Sequence, residues 1–296
     1  MVAEVLDALD GAGSVLDCTL GGGGHSLALL EAGATVTGID RDADAIAEAT
    51  MRLKVFADAG RFRAVPGDFT RVDEIAALQD ESFDGILADL GISSSQIDRD
   101  ARGFSFRPGV VLDMRMSADG ESAADLLNGA TLEELTRIFR EYGDEPRARR
   151  LANEVVRRRS TRDFVTADDF VGAIRGAFGA SAGPAEFARL FQAVRIAVND
   201  ELNGLERALP LLRDRLSPGG TLSIIAYHSG EDRLVKHAMR AWSTACTCPP
   251  RQPVCTCGGT ALGTLVTRKS VTASAAEIAR NPRARSAHLR SWRKAA

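Results

Sequence analysis

The sequence predicts an α/β fold: a Rossmann-type parallel sheet interrupted by an inserted all-helical domain. Three observations predict it. Short apolar runs, several closing on an aspartate, alternate with helical segments over the first ninety or so residues, the signature of βαβ units. Residues 131–178 then show helical spacing only. The strand signal returns late, in "LSPGGTLSIIAYHS", so a single sheet must be assembled from two separated parts of the chain.

Taken in order, Ser14–Cys18 is a short apolar strand, and Leu27–Glu31 begins a helix. Thr35–Ile39 is rich in β-branched residues and ends at Asp40. Ala43–Phe56 has helical spacing, Arg61–Val65 leads into Pro66-Gly67-Asp68, and Phe83–Ala88 is a strand ending at Asp89. Gly91–Asp119, rich in Ser, Gly and Arg, reads as long loops. In the helical stretch, Ala148, Leu151, Ala152, Val155 and Val156 share one face, with arginines mostly opposite. A further helix follows Pro184, and a Pro-Gly-Gly turn precedes a strand at Thr221–Ala226. These elements predict an α/β domain in two parts, residues 1–110 and 191–296. Residues 111–190 form the inserted helical domain, with its linkers, and carry substrate recognition.

The chain has 296 residues, 45% hydrophobic and 26% charged, enough for a normal core without staples. No apolar stretch approaches a bilayer span and no signal peptide is visible, so a cytoplasmic protein without membrane contact is expected. A net charge of −3 argues against wholesale polyanion binding. Basic residues nevertheless cluster at Arg157-Arg158-Arg159 and in a basic tail from Ile278 onward. Such patches hold phosphates in some proteins and are merely solvated in others.

The stretch "LDCTLGGGGHS", residues 16–26, sets four glycines between a strand and a helix, which suits close approach of a ligand to backbone. A triphosphate loop would need Gly-Lys-Ser/Thr, but Gly24 is followed by His25 and Ser26. A dinucleotide fingerprint counted from Gly22 and Gly24 would need glycine at Leu27. S-adenosylmethionine has no phosphate and needs only glycines plus a carboxylate for its ribose. Asp40, 19 residues after Gly21, stands where the second strand would place that carboxylate. Gly67-Asp68-Phe69 follows the third strand, where Asp68 or Phe69 would meet the adenine.

Strand ends in open α/β sheets line the ligand crevice, so Asp89 points into the site and suits an acceptor for an exocyclic amine. Amino-directed nucleic-acid methyltransferases carry a stacking aromatic just after this position, whereas Leu90-Gly91-Ile92 follows here. Phe104, Phe106 and Tyr227 are the candidates to supply one. His228 is a second candidate proton acceptor. Cys246, Cys248, Cys255 and Cys257 form Cys-x-Cys-x6-Cys-x-Cys. Four thiolates suit tetrahedral zinc, but the within-pair spacing is one residue rather than the usual two to four, so zinc and surface thiols both stay open. Cys18, in the first strand, reads as a small buried apolar residue.

Seven segments together, "DCTLGGGGHS", "GIDRD", "DLGISSSQID", "RGFSFRPG-x-x-LDMRM", "FQAVRIAVNDEL", "GG-x-LSII-x-YHSGEDRLVK" and "NPRARSAHLR", resemble the MraW/RsmH family in order along nearly the whole chain. The resemblance implies an S-adenosylmethionine-dependent methyltransferase of cytosine N4 in bacterial 16S ribosomal RNA, acting on that RNA or on the small ribosomal subunit. Carried over by position, it implies cofactor contacts at Gly23, Gly24, His25, Asp40, Phe69, Asp89 and Gln96. "DMRM", with Arg115, and Arg157, Arg158 and Arg159 would meet RNA, while Met114 and Met116 also suit loop anchors in a core. The chain departs from the family in three places. It begins at Met1 where relatives carry a His-x-Pro-Val segment; Tyr227 and Gly230 stand where Phe and Leu are common; and the cysteine loop occurs in only some relatives. Rival readings are an amino-methyltransferase of DNA or small molecules, and a non-catalytic zinc-dependent RNA-binding protein. The sequence leaves oligomeric state open, a homodimer included.

Overall fold

The computed structural model describes residues 1–92, 102–117, 120–246, 248, 249, 252, 254 and 256–296. They form two compact units: Met1–Gly91 with Leu202–Ala296, and Ile92–Glu201.

The first unit is built on an eight-stranded sheet. β1 (Ser14–Asp17), β2 (Thr35–Asp40), β3 (Phe62–Pro66), β4 (Phe83–Asp89) and β5 (Leu216–Ala226) run parallel in the order β3-β2-β1-β4-β5. β8 (His288–Lys294) joins antiparallel to β5 and also pairs with β6 (Gly263–Leu265) and β7 (Val271–Thr272). Chain order reverses between β1 and β4, and a ligand crevice lies outside the carboxyl ends of strands at such a point. Asp17, Asp40 and Asp89 are the last residues of β1, β2 and β4. The strand interiors are apolar on both faces, as sheets covered on both sides require: Val15, Leu16, Val36, Ile39, Ile86, Leu87 and Ala88 are fully buried.

Several elements differ from the sequence expectation. The helix after the glycine loop starts at Gly24, not Leu27. The segment 43–56 divides at Leu53 into helices Ala43–Arg52 and Lys54–Asp58. Pro218-Gly219-Gly220 is not a turn. It lies inside β5, where pairing with β4 shifts register between Phe83 and Gly85. A Cβ on Gly220 would stand 3.0 Å from the Phe83 and Asp84 carbonyl oxygens, so the bulge needs glycine there. The basic tail is not a tail either. Its last part is β8, with Trp292 fully buried and Arg290 bound bidentately to Asp232 at 2.7 and 2.9 Å.

The second unit is helical: Ala123–Gly129, Leu132–Glu141, Ala148–Arg159, Ala167–Phe178 and Pro184–Val198. The stretch read as wholly helical is broken twice. Asp144 takes a left-handed φ of +46° just before Pro146, which lacks an amide hydrogen for the helical ladder. Thr166 opens the next helix with a capping box to Asp169, as Thr131 does with Glu134. Ala148, Leu151, Ala152 and Val155 are fully buried, as their spacing predicts. The unit boundaries fall at 91/92 and 201/202, outside the expected 110/111 and 190/191. The reason is packing. Phe104 and Val110, before residue 111, and Phe191, Ala193 and Val194, beyond residue 190, pack in the helical core.

Candidate active site

The glycine loop is shaped by its own backbone and by two carboxylates. Gly23, at φ +73°, is the left-handed residue that turns the chain into the helix Gly24–Glu31. Asp40 Oδ2 accepts the Gly21 amide at 2.8 Å, and Oδ1 accepts the Asp42 amide at 2.9 Å. Burial raises the Asp40 carboxyl against those two bonds. Each oxygen keeps acceptor capacity, which suits a ribose diol. Asp17 is buried under the loop, accepting from Ser26 Oγ at 2.7 Å and from the Thr19 amide at 3.2 Å; burial raises its pKa as well.

Around Asp89 three groups converge. Tyr227 donates its hydroxyl to Asp89 Oδ1 at 2.9 Å. His25 Nε2 stands 3.4 Å from Asp89 Oδ2. The Asp89 amide donates to Thr19 Oγ1 at 2.7 Å, fixing the strand end. Burial pushes the His25 pKa down, but Asp89 and then Asp17 outweigh it, and the net shift is upward. Burial and the Asp89 charge push the Tyr227 phenol far above its ordinary range, so it stays a donor. His25 Nδ1 is buried with no hydrogen-bond partner among the described residues, and the Cβ direction at Gly24 opens onto empty space. A buried polar atom beside open space above a glycine loop fits a polar ligand without phosphate, such as S-adenosylmethionine.

His228 is placed differently. It is the N-cap of the helix Ser229–Trp242, with Nδ1 accepting the Glu231 amide at 3.4 Å and Nε2 standing 3.2 Å from Glu231 Oε1. Glu231 is buried and also takes the Tyr227 amide at 2.9 Å. Phe69 lies in the short 3-10 turn Phe69–Arg71, capped by Asp68 through the Thr70 amide, and packs partly into the sheet core. Gln96 lies outside the described residues. Cys18 is buried, as read.

In the helical unit Arg115 is held bidentately by Asp113 at 2.9 and 2.8 Å, which lowers the Asp113 carboxyl. Met114 and Met116 are buried, and Asn199 clamps their loop through the Met116 amide and the Met114 carbonyl, each at 2.8 Å. The arginine run is not uniform. Arg157 and Arg158 both bind Glu154, at 2.7 Å, and hold its carboxyl down at about 2, Arg157 contributing most. With Thr161, Arg162, Phe164 and Asp169 they line a hollow of about 360 Å³. Arg159 turns away to the carbonyls of Leu127 and Ala130, at 3.0 and 2.7 Å, and closes the end of the helix Ala123–Gly129. Of the stacking candidates, Phe106 packs edge-on against Phe187 and Phe191, and Phe104 lies against the helical core.

Compared with known proteins, the sequence profile of the MraW methylase family matches residues 1–295. The chain belongs to the MraW methylase family. Ribosomal RNA small subunit methyltransferase H of Gemmatimonas aurantiaca is 57% identical to this MraW-family chain over 296 residues, covering 100% of it and 94% of the relative. The protein of that name from Anaeromyxobacter sp. (strain K) is 50% identical over 284 residues, covering 94% and 91%. That from Myxococcus xanthus is 45% identical over 295 residues, covering 98% and 94%. Reasoning from the MraW-family sequence alone missed Asp17, Thr19 and Glu231 as supports of the site. Asp17 and Thr19 are short polar residues at or just beyond a strand end and Glu231 is a carboxylate in the first turn of a helix, signals too common to single out.

Proposed function

We propose that this chain transfers a methyl group from S-adenosylmethionine to the exocyclic N4 of a cytosine in 16S ribosomal RNA of the small subunit. Full-length likeness to relatives named for ribosomal RNA small subunit methyl transfer carries the reading. The carboxylate at the end of β4 supports an amine as the acceptor. The bound cofactor would supply an electrophilic methyl on a sulfonium. Gly23 and Gly24, His25, Asp40 and Phe69 would hold it, Asp40 through the ribose hydroxyls.

Cytosine N4 is a weak nucleophile because its lone pair is delocalised into the ring. Asp89 accepts an N4 hydrogen bond, draws the lone pair out of conjugation and takes the proton once nitrogen is methylated. Tyr227 and His25 orient that carboxylate, and Thr19 fixes the backbone behind it. Holding nitrogen in line with the methyl supplies, in favourable cases, roughly 7–11 kcal/mol of the barrier. The target base must be unpaired or turned out of its stack for Asp89 to reach it. His228 Nδ1 is engaged in a helix cap, whereas the Asp89 carboxylate ends a parallel strand at the point where chain order reverses, which favours Asp89 as the acceptor. Of the run Arg157–Arg159, Arg157 and Arg158 lie at the surface, where, shared with Glu154, they would neutralise RNA phosphate.

The test is nucleoside mass spectrometry of 16S RNA from a strain lacking the gene, with and without this chain supplied. Appearance of N4-methylcytidine only with the chain is expected. Unchanged RNA alongside methylated DNA would favour the DNA alternative.

A further inference from the structure

Between Trp242, the end of a helix, and Gly263, the start of β6, the chain makes a long excursion. The Leu262 amide donates to the Trp242 carbonyl at 2.8 Å and closes its base. Among the described residues of 243–261 there is neither helix nor strand, and none is buried. Val254, a large apolar residue there, is 70% exposed. A loop of this length without its own core needs another cross-link to hold one shape.

Three thiols converge at that place. The Sγ atoms of Cys246, Cys248 and Cys257 lie within 4.8 Å of one another. Cys246 and Cys257, from opposite arms, stand 3.8 Å apart, far too long for a disulfide. Four sulfurs about 2.3 Å from a tetrahedral zinc stand about 3.8 Å from each other, the spacing seen. The Thr256 amide donates to Cys248 Sγ at 3.4 Å, the kind of bond that orients a thiolate ligand. Backbone geometry presses the arms together. Gly258 has φ +58°, and a Cβ on Gly259 would stand 2.3 Å from the Ala245 carbonyl oxygen. Four of the five cysteines in the chain fall in this loop, and Cys255, outside the described residues, is the fourth.

We propose that Cys246, Cys248 and Cys257 bind one structural zinc ion that pins the 243–261 loop. All-sulfur tetrahedral sites take zinc or iron, and zinc needs no redox partner. Each ligating thiol releases its proton on binding, and nothing is oxidised. The inference is independent of the methyl-transfer reading.

The test is elemental analysis of the whole protein, purified without a metal-affinity step or chelator. One zinc per chain is expected, released in step with mercurial titration of the thiols. C246S/C257S is expected to retain less than about a tenth of the metal. Should that variant not fold, chelation of the wild-type protein is read instead, by limited proteolysis. Faster cleavage within 243–261, reversed by zinc, is expected. Absence of metal from wild type, stoichiometric iron, zinc retained by C246S/C257S, or a Cys246–Cys257 disulfide in metal-free protein would each overturn the proposal.

Discussion

Tyr227 donates its hydroxyl to Asp89 Oδ1 at 2.9 Å, so the carboxylate that ends β4 is held by the residue that follows β5. The contact joins residues 138 positions apart. Asp89→Ala is expected to cut turnover by about 10²–10⁴-fold at saturating cofactor, with RNA affinity little changed. Tyr227→Phe is expected to cost only about tenfold, the value of one hydrogen bond to a charged group. Single-turnover methyl transfer checks both, and equal losses would remove Asp89 from the chemistry.

Asp40 offers a separate handle. Asp40→Ala should weaken S-adenosylmethionine by about 1–3 kcal/mol, read by calorimetry on folded protein, because the charge-assisted bonds to ribose vanish. RNA affinity should not move. Undiminished cofactor affinity would place the ribose elsewhere.

For His228 the expected effect is on stability. His228→Ala removes an N-cap and should cost about 1 kcal/mol in denaturant unfolding, while His228→Asn, itself a good cap, should restore most of it. Turnover per folded molecule should stay near normal in His228→Asn. A large kcat loss in that variant would return His228 to the list of proton acceptors.

The arginine run should separate into two behaviours. Arg157→Gln with Arg158→Gln should weaken RNA binding and flatten its salt dependence, leaving cofactor affinity intact. Arg159→Gln should instead destabilise the helical unit by about 1 kcal/mol or more, since two helix-end carbonyls lose their donor. Titrations at several salt concentrations and thermal melts of each variant distinguish them. Parallel salt plots for wild type and the double variant would make Glu154 the only partner these two arginines serve.

β1, β2 and β4 were legible because they are apolar runs ending in aspartates, and parallel strands buried on both faces leave such apolar runs. Asp40 and Asp89 were legible for the same reason: a charge at a strand end is conspicuous. Tyr227's hydroxyl bond and Glu231's support were not, since their partners are fixed by topology rather than spacing. β8 was hidden by its own charges. Arg290, Arg293 and Lys294 look solvated in sequence, yet Asp232, Thr221 and two backbone carbonyls receive them. Arg159 misled in the same way, as a cation serving a helix end.

β8 sits between β5 and β6, yet it is the last strand of the sheet to be made. During synthesis the parallel strands β1–β4 emerge first, and then residues 92–201, whose core, among the described residues, is drawn from that span. The helical unit can therefore fold while the nascent sheet still shows an open edge at β4, which only β5 covers. β5 in turn waits for β8. Exposed strand edges invite wrong pairing. Loss of the final strand should therefore be felt as insolubility before it is felt as lost catalysis.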